Sequence, residues 1–185
     1  IVEQAILDHI RSVFELHGFV GIETRAVETL EQLQSKGETS KEIYVLDRLQ
    51  ALKDEGQRSS KERQMGLHFD LTVPFARYVI ENANELDFPF KRYQIQKVWR
   101  GERPQEGRYR EFTQADIDIV GRDRLADHHD AEITLVALDV FGKLHRDLGL
   151  PPVSIRVNNR KLSEGFYLGL GIEDTSAVLQ RVDKY

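Results

Sequence analysis

Four arginines, Arg100, Arg103, Arg108 and Arg110, fall within eleven residues, interleaved with Tyr109 and followed by Phe112. A guanidinium is planar and permanently charged, and it meets a phosphate through two parallel hydrogen bonds. An aromatic ring beside such groups offers a nucleobase a surface on which to stack. Glu102, Gln114, Asp116 and Asp118 lie in the same stretch and supply acceptors. Buried groups of both signs need partners, so this set suits a ligand that itself carries both charge signs.

The elements that must hold these side chains can be read from pattern. Residues 92–100 and 109–120 contain β-formers, with Val98 and Trp99 in the first run and Ile117, Ile119 and Val120 in the second. Between them GERPQEGR has the glycine and proline chemistry of a turn. The spacing predicts an antiparallel hairpin with a long tip. Alternation then sorts the side chains. Gln94, Gln96, Val98, Arg100 and Glu102 share a face with Phe112, Gln114, Asp116 and Asp118. Thr113, Ala115, Ile117 and Ile119 lie on the other, mostly apolar face, which can pack on helices. Alternation alone also describes a half-exposed sheet with one solvated side; the arginine-rich loop is what favours a binding site.

The stretch VWRGERPQEGRYREFTQADIDIVG resembles the second signature motif of class II aminoacyl-tRNA synthetases, whose core appears here as Arg100, Glu102, Arg108 and Phe112. The wording around ERPQ and GRYREF is similar to the histidyl-tRNA synthetase family in particular. The resemblance implies an α+β fold, an antiparallel sheet flanked by helices and incomplete in this chain. It implies one partial catalytic domain over 1–185, with the first motif region at about 1–33, an amino-acid-binding segment at about 67–82 and the motif hairpin at 92–121. The family's third motif and its anticodon-binding domain are expected outside this sequence, so the segment alone is expected to be inactive.

The same resemblance implies a reaction and a set of roles. ATP activates L-histidine to histidyl-adenylate, and the histidyl group passes to tRNA(His). Arg100 is the catalytic group, bridging the α-phosphate and the substrate carboxylate. Glu102 accepts from the adenine amino group, Phe112 stacks on the ring, and Arg108 reaches the γ-phosphate. Asp70, Leu71 and Thr72, with Gln114, receive the histidine ammonium. Asp118 accepts an imidazole N–H. ATP is a substrate accompanied by Mg2+, no permanent cofactor is expected, and a homodimer is implied. The alternative is a catalytically silent, synthetase-like regulatory subunit of histidine biosynthesis. The intact set of Arg100, Glu102, Arg108 and Phe112 argues against it, since a regulator has no need of an ATP site.

Composition bounds these readings. The 185 residues carry a net charge of −5, with 40% hydrophobic and 31% charged residues. That balance provides no general basic footprint for nucleic acid, so any RNA contact must be local. The absence of cysteine removes disulfides, zinc-thiolate sites and thiol nucleophiles. No apolar run approaches the length of a membrane span, and a cytoplasmic protein without membrane contact is expected.

The remaining chain divides by periodicity. Residues 1–18 predict an amphipathic helix ended by Gly18, and 19–27 a strand leading to Leu30 and Leu33. EIYVLDRL, 42–49, reads as a strand, and 53–64 as a surface loop. Leu67–Leu71 predicts a strand, with Thr72 as helix cap and Pro74 in the first turn. Asp70 and Thr72 fit local capping as well as ligand binding. A long helix spans 127–148 and stops at Gly149. Its His128 and His129 are adjacent, so they diverge by about 100° on a helix, and no metal site is expected. Val153–Val157 predicts a strand, followed by two helices.

Overall fold

The computed structural model describes residues 2–34, 42–47, 64–103 and 105–182. Its centre is the expected hairpin. Strand β5 (Phe90–Trp99) pairs with β6 (Glu111–Val120) in antiparallel register, Arg92 opposite Asp118, Gln94 opposite Asp116 and Gln96 opposite Gln114. That register puts even positions of both strands on one face, as alternation requires. A short parallel partner, β1 (Val20–Gly21), extends the sheet in the order β1-β5-β6.

The odd-numbered face makes the core. Tyr93, Ile95, Ile117 and Ile119 pack with Ile6, Ile10, Val13 and Phe14 of α1 (Val2–Leu16) and with Ile133, Val136, Val140 and Leu144 of α4 (His128–Leu148). Each helix contributes residues three or four apart, which lie on one stripe. Each large apolar side chain buried in this way adds about 1.5–3 kcal/mol. The helix α4 ends at Gly149, whose φ of 71° is left-handed and whose N–H closes the last turn on His145 and Leu144.

A second sheet, in the order β2-β4-β3, comprises β2 (Val27–Thr29), β3 (Val45–Leu46) and β4 (Met65–Leu67). Gly66 sits at its centre, where a Cβ would stand 2.8 Å from the Tyr44 carbonyl oxygen and 3.0 Å from Leu30 and Leu33 methyls. The four-residue helix α2 (Leu30–Leu33) follows β2, with the Thr29 hydroxyl accepting from the Gln32 N–H. Buried Glu28 of β2 pairs at 2.7 Å with Arg77 of α3 (Thr72–Asn82), tying this sheet to the helix that follows it.

Several expectations require correction. The single strand over 19–27 is two short strands in different sheets. Of the strand expected at 42–49, Val45–Leu46 is strand among the described residues, while 48–49 lie outside them, as do 53–63 of the expected loop. The strand at 67–71 ends at Leu67, because Phe69–Leu71 bend to enter α3. Thr72 is the first residue of α3 rather than its cap: Leu71 holds the cap position without a side-chain bond, and the Oδ1 of Asp70, one residue earlier, accepts from the N–H groups of Thr72 and Val73, at 3.2 and 3.4 Å. Val153–Val157, expected as a strand, is irregular.

Contacts divide the chain into two compact units, Ile1–Pro152 and Val153–Tyr185. The second contains α5 (Arg160–Gly169), capped by the Asn159 side chain on the Lys161 N–H at 2.9 Å, and α6 (Thr175–Val182). Among the described residues no helix is long and apolar enough to cross a membrane.

Candidate active site

The polar face of the hairpin carries the site, and its neighbours are laced to it through backbone. The Trp99 N–H donates to the His68 carbonyl at 3.1 Å, and the His68 Nε2–H donates to the Lys97 carbonyl at 2.7 Å. His68 is fully buried, with its ring 5.6 Å from that of Trp99. These bonds hold the Asp70–Thr72 turn beside the end of β5.

At the tip, Arg100 is the junction. Its Nε donates to the Phe69 carbonyl at 3.1 Å, its Nη2 reaches Gln114 Oε1 at 3.4 Å, and its guanidinium lies 5.0 Å from the centre of the Phe112 ring. A cavity of about 330 Å³ opens here, lined by Arg100, Glu102, Gly107, Arg108, Tyr109 and Phe112. Glu102 and Arg108 meet across it at 3.3 Å. The turn between them is closed by Gln105 and Arg108, and the Gly101 N–H is held by the Glu42 carbonyl at 2.8 Å. All four side chains expected to hold ATP therefore border one cavity.

Towards the base of the hairpin the same face becomes buried and tightly paired. Arg92 is fully buried. Its Nη2 lies 3.1 Å from Asp116 Oδ2 and also pairs with Asp118 Oδ2, and its guanidinium stacks 4.1 Å from the Phe75 ring. Burial pushes the Asp118 carboxyl above its ordinary value; Arg92 opposes that rise, while Asp116 and Asp70 add to it. Asp70 is thus close enough to Asp118 for their charges to interact. Above this cluster the Gln94 amide donates to the Thr24 hydroxyl at 2.8 Å, and Gln96 exchanges two hydrogen bonds with the Thr24 backbone.

The expected residues therefore gather into two neighbouring groups, joined by the Arg100–Gln114 contact. Arg100, Glu102, Arg108 and Phe112 form the open group; Asp70, Gln114 and Asp118 belong to the deeper face. Thr72 is exposed at the start of α3, and the Leu71 side chain is fully buried in packing. Sequence reasoning gave no role to Arg92 or His68, and it named Asp116 and Tyr109 only as an acceptor and an aromatic ring of the stretch. The even numbering of Arg92 and Asp116 was the available signal; nothing in the spacing marked His68.

The histidines of α4 also need correction. The rings of His128 and His129 nevertheless lie 4.1 Å apart. With Glu132 they bring ligand atoms within 4.8 Å of one another. The Glu132 oxygens, however, are engaged by Lys91 and by His129 Nδ1 at 2.7 Å. Those hydrogen bonds pull the Glu132 carboxyl below its ordinary value. The Lys91–Glu132 ion pair, with His129 bonded to the same carboxylate, fastens α4 to β5.

A sheet with this motif hairpin, helices on its apolar face and an arginine-lined cavity at its tip is the fold of the class II aminoacyl-tRNA synthetases. Residues 2–182 match the histidyl-tRNA synthetase family. The chain is 66% identical over 185 residues to a histidine–tRNA ligase of Cutibacterium acnes, covering all of this chain and 40% of that protein. It is 59% identical to one of Bifidobacterium longum subsp. infantis, covering all of this chain and 39% of that protein. Its fold matches the crystal structure of histidyl-tRNA synthetase from Nostoc sp. PCC 7120 with a TM-score of 0.76 and 39% identity, over 94% of this chain and 37% of that one. The chain belongs to the histidyl-tRNA synthetase family. It spans about 40% of the length of the curated relatives it matches.

Proposed function

We propose that this chain is the amino-terminal part of a catalytic domain, both units included, whose full-length protein activates histidine with ATP and transfers it to tRNA(His). The observation that carries this reading is the convergence of Arg100, Glu102, Arg108 and Phe112 on one cavity, with Arg100 bonded to Gln114 of the deeper face. A nucleotide in the cavity and an amino acid on the deeper face would meet at Arg100.

The chemistry follows from that meeting point. A histidine carboxylate oxygen attacks the α-phosphorus in line; the bond from that phosphorus to the bridging oxygen breaks, and pyrophosphate leaves with the electron pair. A terminal ribose hydroxyl of tRNA then attacks the carbonyl carbon of the adenylate, and AMP leaves. Neither step needs a protein nucleophile. The protein positions two substrates and neutralises charge that develops on phosphorus. Arg100 does this at the α-phosphate, and Arg108 compensates the far end of the triphosphate. Glu102 accepts from adenine, and Phe112 supports its ring. Mg2+ enters with ATP as the substrate complex.

On the amino-acid side, Asp70 and Thr72 with Gln114 receive the ammonium, the Leu71 backbone spans between them, and Asp118 accepts the imidazole N–H. Asp70 already accepts from the first N–H groups of α3, so it would serve both duties. The protein acts as a cytoplasmic homodimer in this reading. The rival, a silent regulatory subunit, leaves the arginine-lined cavity without a purpose. Histidine-dependent exchange between ATP and pyrophosphate, measured on the full-length protein, tests the reading. Exchange with histidine and not with other amino acids is expected; its absence in well-folded protein would overturn it.

A further inference from the structure

We infer that Arg92 is a positioning residue for amino-acid selection: it clamps the inner oxygen of Asp118 so that the outer oxygen faces the imidazole N–H of the substrate. The inference rests on the histidine-activating reading above, and it assigns a duty to a residue that touches neither substrate.

Three observations carry it. First, Arg92 is fully buried on the polar face, where an arginine is expensive unless its charge is matched. The matching groups are Asp116 and Asp118, both bridged by Nη2, with Nη1 also 3.4 Å from the Asp116 carbonyl. Second, the guanidinium cannot swing away. The Phe75 ring covers it at 4.1 Å, and its Nε has no hydrogen-bond partner among the described residues. Its orientation is therefore dictated by the ring and the two carboxylates. Third, the Asp118 carboxylate is divided. Oδ2 is buried in ion-pair contact with Arg92 Nη2 and has no hydrogen-bond partner among the described residues, yet the side chain as a whole is 36% exposed, so the exposure falls on the remainder of the group. One oxygen lies buried against the guanidinium, which leaves the other as the oxygen available to a ligand.

The arrangement also sets charge. Arg92, Asp70, Asp116 and Asp118 are the charged groups facing this point. Without the guanidinium, Asp118 would have only the carboxylates of Asp116 and Asp70 acting on it, and it would hold a proton more readily. A protonated acid offers a donor where the substrate imidazole also brings a donor. Arg92 thus keeps Asp118 an acceptor and keeps it aimed. The selected ligand class is an amino acid with a ring N–H at this depth. An isosteric ring without that donor would leave the open oxygen unpaired, which a desolvated site rejects strongly.

The test compares full-length wild type with Arg92→Met, which keeps the length and loses the charge, and Arg92→Lys, which keeps the charge and loses the fork. Histidine-dependent pyrophosphate exchange gives KM for histidine and for ATP separately. The expected result is a histidine KM raised on the order of 10-fold or more in Arg92→Met, as for a lost charge-assisted hydrogen bond. The ATP KM should stay within about 2-fold, as for a group remote from the nucleotide, and Arg92→Lys should be intermediate. Because Arg92→Met leaves an extra buried negative charge and can unfold, Arg92→Met/Asp116→Asn restores the cluster's formal charge; it should fold and keep the raised histidine KM. A histidine KM near wild type in either folded variant overturns the inference while leaving the activity reading intact. Equal losses for histidine and ATP overturn it too, since they would mark a general structural role. If wild type itself shows no histidine-dependent exchange, the activity reading fails and the inference falls with it.

Discussion

The two ends of the hairpin's polar face are built from the same residue types but to different standards. At the tip, Arg108 and Glu102 meet at 3.3 Å, and the Arg108 side chain is 67% exposed. Such pairs contribute little to stability and exchange readily for another partner. At the base, Arg92 is sealed under Phe75 and fastened to two carboxylates. There the pairing is made once, during folding. The difference matches what each end is proposed to bind. A triphosphate brings its own charge and has to enter and leave, so the arginines that meet it are held loosely. An imidazole brings one small donor, and recognising it depends on an acceptor that is fixed in advance.

The largest expected effect lies at the junction between the two ends. Arg100 uses a fork: Nε on the Phe69 carbonyl and Nη2 on Gln114. Lysine keeps the charge but cannot hold both directions at once. Arg100→Lys in the full-length protein should slow adenylate formation by roughly 10²-fold, the typical cost of one lost transition-state donor. ATP binding should fall much less. Equal losses in ATP affinity and in rate would mean that Arg100 serves ground-state binding only, and the junction would then behave like the rest of the tip.

Next in size is Asp118→Ala at the base. The substitution removes the open oxygen together with the group Arg92 holds. Histidine kcat/KM should drop by at least about 10-fold, as expected when a built polar site loses its partner, with ATP affinity close to wild type. Histidine kinetics unchanged from wild type would remove Asp118 from the recognition role and break the contrast between the ends.

These two ends also differ in how far they could be read from sequence. The tip was legible because its chemistry is local: arginines, aromatic residues and a turn occur within a dozen residues, and strand alternation fixes which of them face together. Alternation fixes the faces but leaves the register open to shifts of two residues; the pairing of Gln96 with Gln114 came from the structure. The base was less legible because its decisive contacts join distant stretches. Phe75 covers Arg92, Thr24 holds Gln94, and Glu28 pairs with Arg77; no local pattern announces them. The missed strand boundaries near Leu67 have a local cause. Asp70 turns its carboxylate onto the start of α3, and this local side-chain bond favours the turn over the β-like run that precedes it. The expected divergence of His128 and His129 overlooked that rotamers can bring adjacent rings together although their Cβ directions diverge.

A smaller effect is expected from Arg108→Gln at the tip. The residue is exposed and its partner Glu102 is only partly buried, so stability should move by less than about 0.5 kcal/mol. ATP KM should rise by roughly 3- to 10-fold, the cost of one exposed charge-assisted contact, with histidine KM unaffected. A thermal shift paired with the exchange assay checks both halves. A large loss of stability would show that the tip is prefastened like the base.

The smallest effect concerns stability and pH, and it asks whether the base carries a folding cost. Burial raises the Asp118 carboxyl above its ordinary value despite Arg92. A carboxyl whose folded value is raised binds its proton more tightly in the fold than in the unfolded chain. Its contribution to stability is complete below the unfolded value of about 4 and is lost as pH rises through the higher folded value. Asparagine cannot ionise and escapes that loss. The Tm of full-length Asp118→Asn, taken relative to wild type, should therefore become more favourable between pH ~3 and ~7, while histidine use declines. Denaturation scans at several pH values measure the slope. If wild type instead gains on the variant as pH rises, the Arg92 pair outweighs burial, and the acceptor at the base is held in place by an interaction that also stabilises the fold. If the expected slope is found, the carboxylate is kept ionised at a cost to the fold, for the sake of the ligand.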